Sequence, residues 1–248
     1  MERIPERQSL SQVEIKSSFI IPVLNEEGFI RACVESIRNQ PEIPDEIIVV
    51  DNGCVDSTVA IARELDCKVV KEEERGIGNA RNRGAQIANG DVLCFIDADG
   101  VVSPNWLKEA KGVLQDSKVN AVVGINIFSH ENPAKKVWYN TYTLFAYTGL
   151  ALSNLLLKKP YLAGNNMAIR KNIFWKLGGF EPVVAEDVWL SKKLWKLEEQ
   201  KVIFNPKMVV NYSSRGFDET GYIRTIIYWI KSALVKRSQE EYSYKSKR

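Results

Sequence analysis

Asp91-Val92-Leu93-Cys94-Phe95-Ile96-Asp97-Ala98-Asp99 sets an unbroken apolar run between a glycine at position 90 and a pair of carboxylates. A run of this length without alternation suits a strand covered on both faces. Such strands belong to parallel sheets, whose carboxyl ends are where ligands bind. The same design recurs on the N-terminal side. Phe19-Ile20-Ile21-Pro22-Val23-Leu24 ends in Asn25-Glu26-Glu27-Gly28, and Glu46-Ile47-Ile48-Val49-Val50 ends in Asp51. Lys68-Val69-Val70 reads as a short strand, and residues 119–127 read as a further one. Helical patterns fill the gaps. Phe29, Ile30, Cys33, Val34 and Ile37 share one face; Asp56-Ser57-Thr58 can cap the next helix; Gly76-Ile77-Gly78-Asn79 leads into a third; Ser103-Pro104 opens a fourth. The order βαβαβαβ predicts an α/β fold with a doubly wound, mostly parallel sheet and flanking helices. Polar residues gather at the strand ends, at Asn25, Glu26, Asp51, Asp97 and Asp99.

Composition narrows the function. The chain has 248 residues and is 45% hydrophobic, which excludes disorder throughout. Lys and Arg number 34 against 31 Asp and Glu, an excess too small to mark a nucleic-acid binder. The one histidine, His130, lies in a polar SHENP loop and cannot build a multi-histidine metal site. Cys33, Cys54, Cys67 and Cys94 form no CxxC pair, so neither a zinc site nor a disulfide framework is expected. Their usage fits a reducing compartment. The opening MERIPERQSLSQVEIKSS is charged and lacks the apolar core of a secretory signal, so a cytoplasmic location is expected.

The second half is less regular. No charge interrupts the 21 positions from Val137 to Leu157. The segment could span a bilayer by length alone. Its Asn, Thr, Ser and Gly residues favour instead a helix at a membrane interface, over a cleft or buried in the domain. From Gly221 to Arg237 apolar and basic residues interleave, reading as a basic helix that rests on anionic lipid or packs on the domain.

Three groups of residues carry chemistry. Asp97 and Asp99 repel each other and favour a hard cation, Mg²⁺ or Mn²⁺, able to bridge to a diphosphate. Glu186-Asp187 opens a helix bearing Leu190, Leu194 and Leu197. The pair either complements the helix dipole or presents a general base. In Leu162-Ala163-Gly164-Asn165-Asn166 the glycine admits a close backbone approach and the amides offer donors, though a tight turn into a strand would use the same residues. Gly76 and Gly78 are next followed by Gly84 and do not trail the first strand, so a dinucleotide-binding dehydrogenase is disfavoured.

Together, Ile21-Pro22-Val23-Leu24-Asn25-Glu26-Glu27, Ile48-Val49-Val50-Asp51-Asn52-Gly53, Ala80-Arg81-Asn82-Arg83-Gly84-Ala85, Gly90-Asp91, Phe95-Ile96-Asp97-Ala98-Asp99, Gly164-Asn165-Asn166-Met167-Ala168-Ile169-Arg170 and Ala185-Glu186-Asp187 resemble family 2 glycosyltransferases in order and spacing, from about Ser18 to Tyr212. The resemblance implies a GT-A-type fold, a nucleotide-sugar donor, Mn²⁺ or Mg²⁺, and inversion at the anomeric carbon. It implies that Pro22, Asn25 and Glu26 line the nucleotide pocket and that Asp51 accepts from the base. Asn79 and Arg83 would lie near base or phosphates. Asp97 would face ribose or metal, and Asp99 would ligate the metal. Gly164 and Asn165 would border sugar and acceptor, Asp187 would be the base with Glu186 beside it, and Arg215 would meet the diphosphate. The domains expected are an arm (1–17), a transferase domain (18–216, with a nucleotide half 18–128 and an acceptor half 129–216) and a helical C-terminal segment (217–248). The expected acceptor is a glycan or lipid-linked hydroxyl, reached by peripheral contact with the cytoplasmic face of a membrane. The oligomeric state stays open. A nucleotidyltransferase, or a non-catalytic nucleotide-sugar-binding scaffold on a membrane, are the alternatives.

Overall fold

The computed structural model describes residues 14–199 and 201–221, and beyond them 224, 225, 227, 231, 232, 234 and 235. Strands β1 (Ser17–Val23), β2 (Glu46–Asp51), β3 (Lys68–Lys71) and β4 (Val92–Ile96) alternate with helices α1 (Ile30–Arg38), α2 (Thr58–Glu64) and α3 (Ile77–Ile87). Then come β5 (Gly100–Val102), α4 (Trp106–Leu114), β6 (Ala121–Ser129) and the long α5 (Pro133–Leu157). The remaining elements are β7 (Asn166–Arg170), α6 (Lys171–Lys176), α7 (Glu186–Leu194), β8 (Val202–Ser213) and α8 (Arg215–Thr220). All eight strands form one sheet in the order β3-β2-β1-β4-β7-β6-β8-β5.

The nucleotide-side half is parallel as expected: β1 pairs with β2 and β4, and β2 with β3. The other half is mixed, yet β6 and β8 pair in parallel and share the direction of β4, so six of the eight strands run one way and the sheet is mostly parallel, as expected. There β7 runs antiparallel to both β4 and β6, and β5 antiparallel to β8. Every residue of β1 and β4 is buried, as their unbroken apolar runs require. One core cluster lies on each side of the sheet, around Phe19 and Trp106 on one face and Phe95, Phe174 and Phe180 on the other. Helix α3 lies close on β1 and β2 because position 84 is glycine, where a Cβ would drive into the Ile20 and Val50 side chains.

Pro22 sits in a central strand without breaking it. Asn52 N–H donates to the Val23 carbonyl at 3.0 Å, so Val23 faces β2 and Pro22, one residue earlier, faces the β4 side. Pairing with β4 has already ended at Ile20, so the absent N–H costs no ladder bond.

The charge-free stretch from 137 to 157 lies within α5. The reading of it as buried does not hold: Trp138, Phe145, Leu155 and Leu156 are exposed. Among the described residues no helix is long and apolar enough to cross a membrane. The expected N-terminal arm falls mostly, and the basic C-terminal segment largely, outside the described residues.

Candidate active site

The carboxyl ends of β1, β2 and β4 meet the loop before β7 and the start of α7, and the polar residues collect there. At the end of β1, Asn25 takes a positive φ of 57°. Its Oδ1 accepts the Val55 N–H at 2.9 Å, while the Glu26 N–H donates to Thr58 Oγ1 at 2.7 Å. These bonds staple the loop after β1 to the loop after β2. Asp51 closes its own turn, with Oδ1 accepting from Gly53 N at 2.9 Å and Cys54 N at 2.7 Å. Asn52, unremarked in the sequence beyond its motif, is buried and pins the next loop through the Glu72 and Glu74 carbonyls and the Gly76 N–H.

Two guanidiniums organise the carboxylates. Arg81, from α3, is buried with 2% of its side chain exposed. Its Nη2 bonds Asp97 Oδ1 at 2.6 Å and its Nη1 pairs with Glu186 Oε1. Burial alone would lower the Arg81 pKa; Asp97, Glu186 and Asp187 more than offset this and raise it. Arg215, at the start of α8, pairs through Nη2 with Glu26 Oε2 and reaches Asp99 Oδ2 at 3.5 Å, its guanidinium 4.0 Å from the Phe29 ring centroid. Five carboxylates (Glu26, Asp97, Asp99, Glu186 and Asp187) thus share two guanidiniums.

That surplus of negative charge shows in Asp99. Burial, then the neighbouring Asp97 carboxylate, push its pKa up to about 7 against the pull of Arg215. Among the described residues no three His, Cys, Asp or Glu side chains form a ready-made metal cage. An Asp97–Asp99 pair with surplus negative charge instead suits Mg²⁺ or Mn²⁺, which bind through one or two carboxylates and complete their shell with substrate phosphate and water. Tyr212 roofs this turn: its hydroxyl donates to the Asn165 carbonyl and accepts from Asp97 N at 3.4 Å.

On the other side stands α7, whose N-cap Ala185 also holds a positive φ, 56°. Glu186 and Asp187 do lie in the first turn of the helix, where carboxylates complement its dipole. They then diverge. Glu186 is buried against Arg81, and burial raises its pKa despite that partner. Asp187 is partly exposed. Its Oδ1 accepts the Val188 N–H at 2.8 Å; its Oδ2 accepts from the Tyr161 hydroxyl at 2.6 Å and from Gly164 N at 3.4 Å. Gly164 must be glycine, since a Cβ would meet Arg81 Nη1 at 2.7 Å. Asn165 Oδ1 accepts from Asn126 Nδ2 at 3.1 Å, and the Asn126 N–H donates to the Tyr147 hydroxyl of α5 at 3.2 Å.

Of the expected site residues, Glu26, Asp97, Asp99, Glu186, Asp187, Gly164, Asn165 and Arg215 come together, with Asn25 and Asp51 on the adjoining loops. Pro22 is buried in β1. Asn79 and Arg83 are not brought to the carboxylates. Asn79 Nδ2 bonds the Arg75 carbonyl at 3.2 Å and Arg83 Nη1 bonds Gln86 Oε1 at 2.9 Å. Both line a separate polar cleft of about 380 Å³ with Glu72, Glu74 and Trp175. Arg81, not singled out in the sequence, is the arginine of this motif that meets the carboxylates: two residues along a helix is a turn of about 200°, so Arg81 and Arg83 face different ways.

A parallel half-sheet that hands over to a reversed β7, beside a carboxylate-bearing turn, is the architecture of the GT-A class. Comparison with solved structures agrees. The chain superimposes on glucosyl-3-phosphoglycerate synthase of Mycobacterium tuberculosis, solved with Mn²⁺, uridine diphosphate and glucosyl-3-phosphoglycerate, with a TM-score of 0.63 at 22% identity over 90% of this chain and 81% of the other. A Pyrobaculum calidifontis mannosyltransferase solved with GDP-Man and Mn²⁺ gives 0.65 at 21% identity, covering 91% and 66%. Residues 18–178 match glycosyl transferase family 2, and the chain belongs to that family. Among curated relatives, the Haloferax volcanii glycosyltransferase AglE is 28% identical over 66% of this chain and 55% of its own length. The Salmonella typhimurium O-antigen chain rhamnosyltransferase RfbN is 24% identical over 88% and 75%. The chain spans 28% of the Bacillus subtilis glycosyltransferase EpsH, to which it is 38% identical over 97 residues.

Proposed function

We propose that the chain is an inverting glycosyltransferase that moves a sugar from a nucleoside-diphosphate donor to an acceptor hydroxyl. The observation that carries this reading is the Arg81 bridge. One guanidinium ties Asp97, on the donor-side turn, to Glu186, next to the partly exposed Asp187. Donor-side and acceptor-side carboxylates are therefore held in one rigid frame, as a single displacement needs. Asp99 and Asp97 would hold Mn²⁺ or Mg²⁺, which supplies positive charge against the departing diphosphate. Asp187 takes the proton of the acceptor hydroxyl as that oxygen bonds to the anomeric carbon. The bond from that carbon to the diphosphate oxygen breaks on the opposite face, which inverts the configuration. Tyr161 and Gly164 orient Asp187, and Glu186 acts through Arg81 as a positioning residue. Residues 18–128 form the nucleotide half and 129–216 the acceptor half.

The acceptor is a surface glycan or its lipid-linked precursor, elongated on the cytoplasmic face of a membrane. The extended similarity to an O-antigen chain rhamnosyltransferase supports this choice. The test is a panel of nucleotide sugars with Asp187→Asn and Asp99→Ala. Asp187→Asn is expected to lower transfer by about 100-fold or more with donor binding retained. Full activity in both variants would overturn the assignment. Release of pyrophosphate from a nucleoside triphosphate would identify a nucleotidyltransferase instead. Tight donor binding with neither transfer nor hydrolysis would identify a scaffold.

A further inference from the structure

Helix α5 turns its Asn and Tyr side chains inward and most of its large apolar ones outward. The two threonines on the outer face, Thr141 and Thr148, donate their hydroxyls to the helix's own Val137 and Leu144 carbonyls. Asn140 exchanges two bonds with the Phe128 backbone, at 2.9 Å each. Tyr147 accepts from Asn126 N, and Asn154 Nδ2 donates to the Val202 carbonyl at 3.3 Å. Positions 140, 143, 147 and 154 follow helical spacing and face the sheet. On the outer side lie Val137, Trp138, Leu144, Phe145, Leu152, Leu155, Leu156 and Leu157, all exposed, with Phe145 at 73% and Leu155 at 76%. A helix resting on a domain in water shows the reverse arrangement. An apolar stripe of this extent marks an interaction surface.

Charge says what covers it. From Pro133 to Lys159 every charged residue is a lysine: Lys135, Lys136, Lys158 and Lys159. They stand at the two ends of the stripe, and Lys135 pairs with Asp218. Near the C-terminal end, Lys159 lies 5.4 Å from the Trp195 ring centroid and Lys192 3.8 Å from that of Trp189. Lysines and tryptophans framing an apolar stripe match the headgroup region of an anionic bilayer. A second copy laid on the same stripe would set lysines against lysines. At about 37 Å the helix has the length of a bilayer but is not apolar enough to cross one. Its bonded inner face holds it flat on the domain instead.

We infer that α5 lies in the interface of an anionic membrane, its Val137–Leu157 stripe in the acyl boundary, and docks the domain peripherally. The inner face of the same helix carries Tyr147, which accepts from Asn126 N; Asn126 Nδ2 donates to Asn165 Oδ1, and the adjoining Gly164 N–H donates to Asp187 Oδ2. The docking helix and the proposed base are thus linked, so an acceptor hydroxyl on a lipid carrier would arrive beside Asp187; this last step rests on the transferase reading.

The test is sedimentation of the full 248-residue chain with vesicles of phosphatidylcholine alone and of phosphatidylcholine mixed with phosphatidylglycerol. Binding to the anionic vesicles, weakened by salt, is expected. The triple variant Phe145→Ser, Leu155→Ser, Leu156→Ser is expected to bind roughly tenfold or more weakly, with unchanged melting temperature and unchanged nucleoside-diphosphate binding. Quenching of tryptophan fluorescence by brominated lipid, reduced by Trp138→Phe, gives an independent readout. Absence of vesicle binding by the parent chain, or equal binding by the triple variant, overturns the inference. So does a dimer in lipid-free solution that the triple variant dissociates, because a second copy would then cover the stripe. Failure of vesicle binding with transfer intact leaves the proposed function standing; loss of nucleotide binding with vesicle binding intact counts only against the function.

Discussion

Replacing Arg81 with Met removes the charge that binds the two halves of the site while keeping much of the apolar stem. The cost follows from what is left behind. Glu186 is 7% exposed, and burial already raises its pKa against the pull of Arg81. Without the guanidinium it must take up a proton to stay inside. Measured from a Glu186 that Arg81 keeps ionised, staying neutral at pH 7 costs a carboxyl of ordinary pKa 4.5 about 3.4 kcal/mol at about 1.36 kcal/mol per pH unit, an upper limit because burial already raises the folded pKa in the parent. That agrees with the roughly 3–5 kcal/mol lost when a buried pair is broken from one side. At pH 5 the same arithmetic leaves about 0.7 kcal/mol. The sign is that of a raised carboxyl: the folded variant holds more protons than the unfolded chain, so its stability is full below pH 4.5 and falls as pH rises. Urea denaturation of parent and variant at the two pH values, followed by tryptophan fluorescence, measures it. Arg81→Met with Glu186→Gln should recover about 2 kcal/mol or more at pH 7, a coupling that a double-mutant cycle isolates. A deficit at pH 7 under about 1 kcal/mol, or one equal at both pH values, would refute the view that Arg81 neutralises Glu186.

Gly164→Ala should lower stability by about 1–3 kcal/mol in the same denaturation assay, because the new Cβ would lie 2.7 Å from Nη1 of a guanidinium held at both ends and 3.4 Å from the Asp187 Cβ. Glu46 is tuned the other way. Burial would raise its pKa, but bonds from Asn89 N, Ser18 Oγ and Lys68 lower it. Its contribution is therefore present above the ordinary pKa of 4.5 and lost as pH falls through the lowered folded value, so Glu46→Gln should flatten the acid limb of a stability–pH curve. In a melting-temperature screen, the cognate nucleoside diphosphate with Mn²⁺ at 100 times its Kd should add about 2.7 kcal/mol, and Asp99→Asn should abolish the part that depends on the metal.

The parallel half of the sheet was legible because β1, β2 and β4 are buried on both faces and their sequences have no polar interruption. The mixed half, with β7 and β5 reversed, was not. Strand β8 carries Asn205, Lys207 and Asn211 among its apolar residues, and only part of it is buried. Its pairing with β6 shifts register between Val123 and Ile125, so no single period runs through it. Strand β7 is short and was read as a turn leading into a strand. Its direction depends on Asn166, whose buried amide accepts from Trp106 Nε1 and donates to the Ile125 and Met208 carbonyls and to Asn126 Oδ1. Those partners lie more than 39 residues away and leave no local trace. Arg81 was missed for the same reason. Its partners are 16 and 105 positions distant, and the neighbouring Arg83 carries the same charge in the same motif.

Helix α5 shows where hydropathy reading stops. Periodicity fixes which residues of a helix share a face; it does not fix which face is inside. The usual rule puts the apolar face inward because water is the only other environment on offer. Here the inner face is decided by polar side chains that each find a specific backbone partner: Asn140 at Phe128, Tyr147 at Asn126, Asn154 at Val202. Turning the helix over would bury leucines, yet it would strand the Phe128 and Asn126 amides and the Val202 carbonyl. Each unpaired group costs about 1–3 kcal/mol, comparable to the roughly 1.5–3 kcal/mol that burying one large apolar side chain returns. Three such groups are outweighed by the larger set of exposed apolar side chains in water, so an apolar medium on the outer side is what sets the orientation. The same inward polar face joins Tyr147 through Asn126 to Asn165, next to the Gly164 that bonds Asp187, so docking and chemistry use opposite sides of one helix.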